Sequence, residues 1–155
     1  MKKIVTLFIL TFFVSYLAEA QSHSGANINF ELGGPGLASF NFDTRFAKKE
    51  DGIGGRIGVG GFSVDGAGAV FIPVGLNYLI GKDRKNYFEV GAGVTPVIGT
   101  GEASGDFSST FGHLLFGYRM QPEKGGFLFR AFISPVFGNG FFVPYYGGVA
   151  FGYKF

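Results

Sequence analysis

The stretch LASFNFDTRF, residues 37–46, alternates along its length: Ala38, Phe40, Phe42 and Phe46 fall on one side of an extended chain, and Ser39, Asn41, Asp43 and Arg45 on the other. Successive side chains of a strand point to opposite faces, so this segment is a β-strand with one greasy and one polar face. The division recurs. In ANINFELG, residues 26–33, Ile28, Phe30 and Leu32 oppose Asn27, Asn29 and Glu31. Strands with the same sorting are expected at 54–62, 69–80, 86–97, 109–120, 126–137 and 145–155. GGPG at 33–36 is read as the turn between the first two strands, which makes eight. Taken as a bulge it would leave seven strands and put the termini on opposite sides. After residue 20 no apolar run approaches the roughly 20 residues of a spanning helix, and no helix-length segment carries a sustained i, i+3, i+4, i+7 stripe.

The sorting of the faces decides what the strands are for. In a soluble sandwich or carrier barrel the large apolar side chains point inward and the polar face meets water. Here one face is nearly pure Phe, Val, Ile, Leu and Ala, while the other mixes glycine with Asn, Ser, Arg, Glu and His. An open sheet cannot satisfy its backbone in lipid, so strands that span a membrane must close into a barrel with the apolar face outside. The expected fold is all-β: a transmembrane antiparallel up-and-down β-barrel of eight strands. A secreted soluble barrel that carries an apolar ligand is the alternative in which the Phe-rich face turns inward.

The ends are consistent with export. Residues 1–20 carry Lys2 and Lys3, an apolar run from Ile4 to about Val14, and Ala18-Glu19-Ala20, the three regions of a cleaved secretory signal peptide. Cleavage after Ala20 leaves a short lead at 21–25 and one barrel domain at 26–155. The 13 basic and 11 acidic residues fall to eleven and ten once Lys2, Lys3 and Glu19 are set aside, so charge gives no reason to expect nucleic acid as a partner. With no cysteine, there are no disulfides, no thiolate metal site and no lipid-anchor cysteine. No histidine pair has metal-ligand spacing, and the glycine-rich pieces GIGGRIGVGG and GAGVTPVIGTG lack the lysine and the helix of a phosphate loop. No cofactor is expected.

With both termini in the periplasm, the periplasmic turns are AKKEDGI (47–53), GKDRK (81–85) and QPEKG (121–125), short and charged. The outer connections are GGPG, SVDGAG (63–68), IGTGEASGDFSS (98–109) and GNGFFVP (138–144), which hold no Lys or Arg. Short inner turns and longer outer loops are the usual asymmetry of such barrels. Aromatics at the rims suggest interfacial girdles: Phe46, Tyr87, Tyr118, Tyr153 and Phe155 below, and Phe62, Phe111, Phe141, Phe142, Tyr145 and Tyr146 above.

The chain ends GGVAFGYKF, in which Val149, Phe151, Tyr153 and Phe155 share one face. With this closing strand, residues 26–155 resemble the small eight-stranded outer-membrane proteins, the class of OmpX-like barrels and of the membrane domain of OmpA-like proteins. The resemblance implies that Val149, Phe151, Tyr153 and Phe155 form the signal read by the barrel-assembly machinery. It also implies outer-membrane lipids, lipopolysaccharide and the export machinery as partners, a Gram-negative outer-membrane location and a monomeric barrel. The sequence stops at Phe155 without the periplasmic domain of the OmpA-like pattern, so peptidoglycan binding is not carried over.

An eight-stranded barrel is filled by its own side chains. The inward set, Glu31, Asp43, Arg45, Arg56, Glu89, His113, Arg119, Arg130 and Lys154, is expected to form an interior polar network, because a confined charge must be paired. The outer half is expected to be lined by glycine, Phe71, Pro73, Pro96, Phe132 and Ser134. A gated small-ion path is the alternative to a structural plug. Some barrels of this size modify lipid A. His113 with Ser134 and Glu89 is the formal candidate for such chemistry, but a deacylase-like His-x-Ser would need serine where Leu115 stands. Asp65, Glu102 and Asp106 could recruit a divalent cation toward lipopolysaccharide phosphate. The role expected is structural or interactive and non-enzymatic, with loops 63–68, 98–109 and 138–144 as the contact surface.

Overall fold

The computed structural model describes residues 25–47, 49–101 and 109–155; the leader expected at 1–20, His23, Glu102 and Asp106 lie outside the described residues. The strands are β1 (Asn27–Gly33), β2 (Ala38–Arg45), β3 (Gly52–Val64), β4 (Ala67–Phe71), β5 (Val74–Ile80) and β6 (Asn86–Gly101). They continue as β7 (Ser109–Met120), β8 (Gly126–Ile133), β9 (Val136–Gly138), β10 (Phe141–Val143) and β11 (Gly147–Lys154). Proline interrupts three staves, at Pro73 between β4 and β5, Pro135 between β8 and β9, and Pro144 between β10 and β11, so the strands make eight staves. A proline cannot donate to the ladder, but its carbonyl still accepts: Gly58 N–H donates to Pro73 at 2.8 Å and Leu114 N–H to Pro135 at 2.9 Å.

Register runs unchanged through the first two breaks. Ile57 lies opposite Val74 and Gly60 opposite Phe71; Phe116 lies opposite Ile133 and Gly112 opposite Phe137. The third break is different. Gly147 pairs with Ile133 but Phe141 with Gly138, so one extra residue sits between β10 and β11 and the faces exchange across this bulge.

β1 pairs antiparallel with both β2 and β11, which closes the sheet. The termini meet at one end, where Phe155 N–H donates to Ala26 O at 3.0 Å. GGPG is a turn, with Gly33 and Gly34 at φ 79° and 71° and Leu37 at 60°, so eight staves are the correct count. Paired residues followed around the wall from Gly33 run through Gly148, Phe132, Gly117, Glu89 and Leu79 to Gly52, at the foot of β3. The staves are therefore strongly sheared and tilted. That tilt brings side chains far apart in sequence to one level.

The faces are sorted for lipid. The largest fully buried side chains include Arg45, Arg119, Arg130 and Lys154, while Phe40, Ile57, Val59, Leu76, Phe88, Phe116 and Ile133 are exposed. A soluble carrier with an apolar lumen would show the reverse.

Several expectations about the rims are corrected. The connection expected at 63–68 shrinks to Asp65-Gly66, both at positive φ, the two-residue turn whose twist suits a hairpin. Residues 98–101 continue β6, and most of 138–144 is the β9–β10 hairpin rather than open loop. Tyr87 is not in the lower girdle; it points inward and is buried. Pro96 shares its side with the exposed Val94 and Ile98, so it does not line the lumen. The GGPG turn is not an outer loop either. Gly34, Pro35 and Gly36 are buried because the turn folds down into the barrel: a Cβ on Gly34 would lie 2.8 Å from the Phe132 ring, and one on Gly36 3.4 Å from Pro73.

Candidate functional site

The lower half of the lumen is a continuous polar network built around three carboxylates. Asp43 on β2 accepts from Arg45 at 2.5 Å, from both terminal nitrogens of Arg119 at 3.1 and 3.2 Å, and from Asn77 at 2.5 Å. Glu89 on β6 accepts from Arg130 Nε at 2.8 Å and Nη2 at 3.0 Å, from Asn77 at 2.7 Å and from Arg119 at 3.4 Å. Glu31 on β1 pairs with Arg56 at 2.6 Å and with Arg130 at 3.5 Å. All seven of these charged side chains are buried. Each holds its neighbours in place, because a charge taken out of water is tolerated only with partners around it.

Interior glycines on β3 make the room. A Cβ on Gly58 would fall 2.1 Å from Asn41 Oδ1, which accepts from Arg56; one on Gly54 would fall 2.2 Å from the Arg45 guanidinium carbon. Beneath the network, the turn between β2 and β3 tucks Glu50 under the barrel, where it accepts from Lys154 at 2.7 Å and from Gln121 at 3.3 Å. Gln121 in turn accepts from Arg119. Lys154 therefore sits in a floor contact rather than in the central cluster. Asn27, Asn29, Asn41, Asn77, Gln121 and Glu50 were not in the expected set, although every one but Glu50 and Gln121 lies on the inward parity of its strand.

Above the network the character changes. The Phe132 ring lies over Arg130, with 5.3 Å between guanidinium carbon and ring centre, and the inward GGPG turn rests against that ring. His113 stands apart from the charged cluster, its Nδ1 3.2 Å from Thr95 Oγ1. Ser134 donates to the Leu114 carbonyl at 2.7 Å, and Glu89 is held by Arg130, Arg119 and Asn77. No hydrogen bond joins His113, Ser134 and Glu89, so the three are not assembled as a triad. Leu115 is buried in the interior.

At the outer mouth four rings form a chain: Phe62 to Phe71 at 6.2 Å, Phe71 to Phe111 at 6.4 Å, and Phe111 to Phe141 at 6.4 Å. These are spacings at which aromatic pairs attract. All four lie on the inward parity of their strands, as the pairing of Phe62 with buried Ala69 and of Phe141 with Gly138 shows. Phe62, Phe111 and Phe141 are therefore not part of a lipid-facing girdle.

On the outside of β11, Phe151, Tyr153 and Phe155 are exposed and Val149 is half-buried. Phe151 packs on Phe129 at 5.5 Å and Phe127 at 6.4 Å, and Tyr153 packs on Phe155 at 5.9 Å. At the end of the barrel that carries the termini, Arg84 pairs with Glu123 at 2.9 Å. The Asn86 side chain and the backbone N–H groups of Asn86 and Lys85 donate to Asp83, which holds its carboxyl below the usual range. Among the described residues no cluster of three His, Asp or Glu could hold a metal ion.

This architecture is the transmembrane up-and-down barrel of eight staves, with its charges enclosed. The chain is similar in structure to the N-terminal β-barrel domain of Pseudomonas aeruginosa OprF, with a TM-score of 0.60 and 13% identity over 84% of this chain and 95% of that one. No protein-family model and no curated protein matches the sequence. At that identity the likeness is one of fold, that of a closed outer-membrane barrel, and it fits the OmpA-like class the closing strand resembles.

Proposed function

We propose that this protein is exported by its 1–20 leader and resides in the outer membrane as a sealed, non-enzymatic barrel of structural or interactive role. The observation that carries the reading is the inversion of the faces: guanidiniums and carboxylates are locked inside, and phenylalanine, leucine and isoleucine are turned out. The lower network fills the cross-section as a plug, since Arg56, Arg119 and Arg130 are each tied to carboxylates on other staves and Arg45 reaches across to Asn77. The outward face of Val149, Phe151, Tyr153 and Phe155 serves as the assembly signal, and the outer hairpins are the contact surface, with lipid and lipopolysaccharide as neighbours.

The test is gel migration of the detergent-extracted protein with and without boiling, together with current across a planar bilayer. A mobility shift on boiling and no stepwise conductance are expected. Fractionation with the soluble periplasm and no shift would overturn the membrane reading, and open-channel steps would overturn the plug.

A further inference from the structure

The barrel wall is uneven at its outer rim. β1 and β2 stop at Gly33 and Ala38, where the chain turns down into the lumen, but the flanking staves continue upward. β3 pairs with β2 only as far as Gly60, so one edge of Gly61–Val64 faces no strand among the described residues. On the other side of the gap β10 pairs, among the described residues, only with β9. The result is a notch between two free strand edges, with the GGPG turn as its sill.

Height decides what the notch faces. The seven residues of β1, at about 3.3 Å each and a tilt of about 40°, rise only about 18 Å, against an apolar band of about 25 Å. With the foot of β1 at the lower aromatic rim, where Ile28 lies opposite Tyr153, the sill lies below the outer edge of the hydrocarbon. The chain of Phe62, Phe71, Phe111 and Phe141 runs from one lip of the notch, on β3, round the far wall to the other lip, on β10. Its two end rings are the exposed ones, at 44% and 45%. Val64 and Val143 add exposed apolar surface on the same two strands. Phe132 and the buried turn form the floor, above the polar network. The outer connections hold no Lys or Arg to bind a phosphate, so what the bowl can take is hydrocarbon.

We propose that the outer mouth is a lateral binding site for the hydrocarbon chain of an outer-leaflet lipid, which enters sideways through the notch between β3 and β10 and lies along the arc of phenylalanines. Interfacial water and the lipid's ester oxygens can pair with the free backbone edges, which hydrocarbon alone cannot do. The site rests on the membrane-barrel reading.

The protein has no tryptophan, which makes the test direct. Single variants Phe62→Trp and Phe141→Trp are compared with lipid-facing Phe40→Trp and with Tyr87→Trp, buried inside the opposite end of the barrel, in phosphatidylcholine vesicles whose acyl chains are brominated near the headgroup. Loss of emission at positions 62 and 141 as large as at position 40, with position 87 spared, is expected. Quenching of 62 and 141 by aqueous acrylamide but no more by bromolipid than at 87 would show a water-filled bowl and overturn the site. Each variant is first checked for its boiling shift, so that failure of the lateral site is distinguished from failure of the barrel.

Discussion

The two halves of the lumen solve the same problem, filling a narrow tube, by opposite chemistry. The half nearer the termini uses four buried guanidiniums against three carboxylates, with asparagine and glutamine between them. The opposite half uses a folded-in glycine turn, one histidine–threonine contact and a string of half-exposed rings. Charges that have lost water need several partners each, so the lower half is rigid by necessity. Rings in van der Waals contact can slide or part at small cost, so the outer half is where a guest can be received.

The largest effect is expected where that rigidity is concentrated. Asp43→Ala strands Arg45 and Arg119 and should cost about 3–5 kcal/mol in urea unfolding of the detergent-folded protein. A cost as small as that of an outer-mouth ring would remove the distinction between the halves. Gly34→Val puts a branched residue at φ 71° with its Cβ against Glu31 and Phe132, and should cost about 1–3 kcal/mol by the same measurement. Phe111→Ala removes two ring contacts at a half-exposed site, and a loss of about 1 kcal/mol is expected.

The smallest effect lies outside the lumen, at Asp83. Its pKa is depressed in the folded chain, so the turn it caps is stabilised above the unfolded value of about 3.9 and loses that support as pH falls through the lower folded value. The amide resonances of Lys85 and Asn86 should therefore stay fixed through neutral pH and move only in acid, below that value.

Much of this was legible from alternation. Phe40 and Phe42 against Asn41 and Asp43 is enough to assign the strand and its faces. The same parity carried to the strand ends would have found more: Tyr87 shares a face with Glu89, Phe62 with Arg56, and Phe111 with His113. Height near the rim suggested girdle positions, but direction is set by parity, and parity prevails. Phe141 could not be placed this way, because the bulge around Pro144 exchanges faces and no local signal fixes its size. Nor did GGPG reveal that it folds inward, since glycine and proline make a turn wherever the turn points.

By itself, then, the sequence determined the strands, their number and which side chains avoid lipid, because a period of two is a local property of the chain. Only the tertiary structure decided who meets whom inside. Arg130 reaches Glu31 across 99 positions of sequence, and Arg119 reaches Asp43 across 76. Those partners are chosen by the shear of the closed barrel, which exists only after the first strand has found the last.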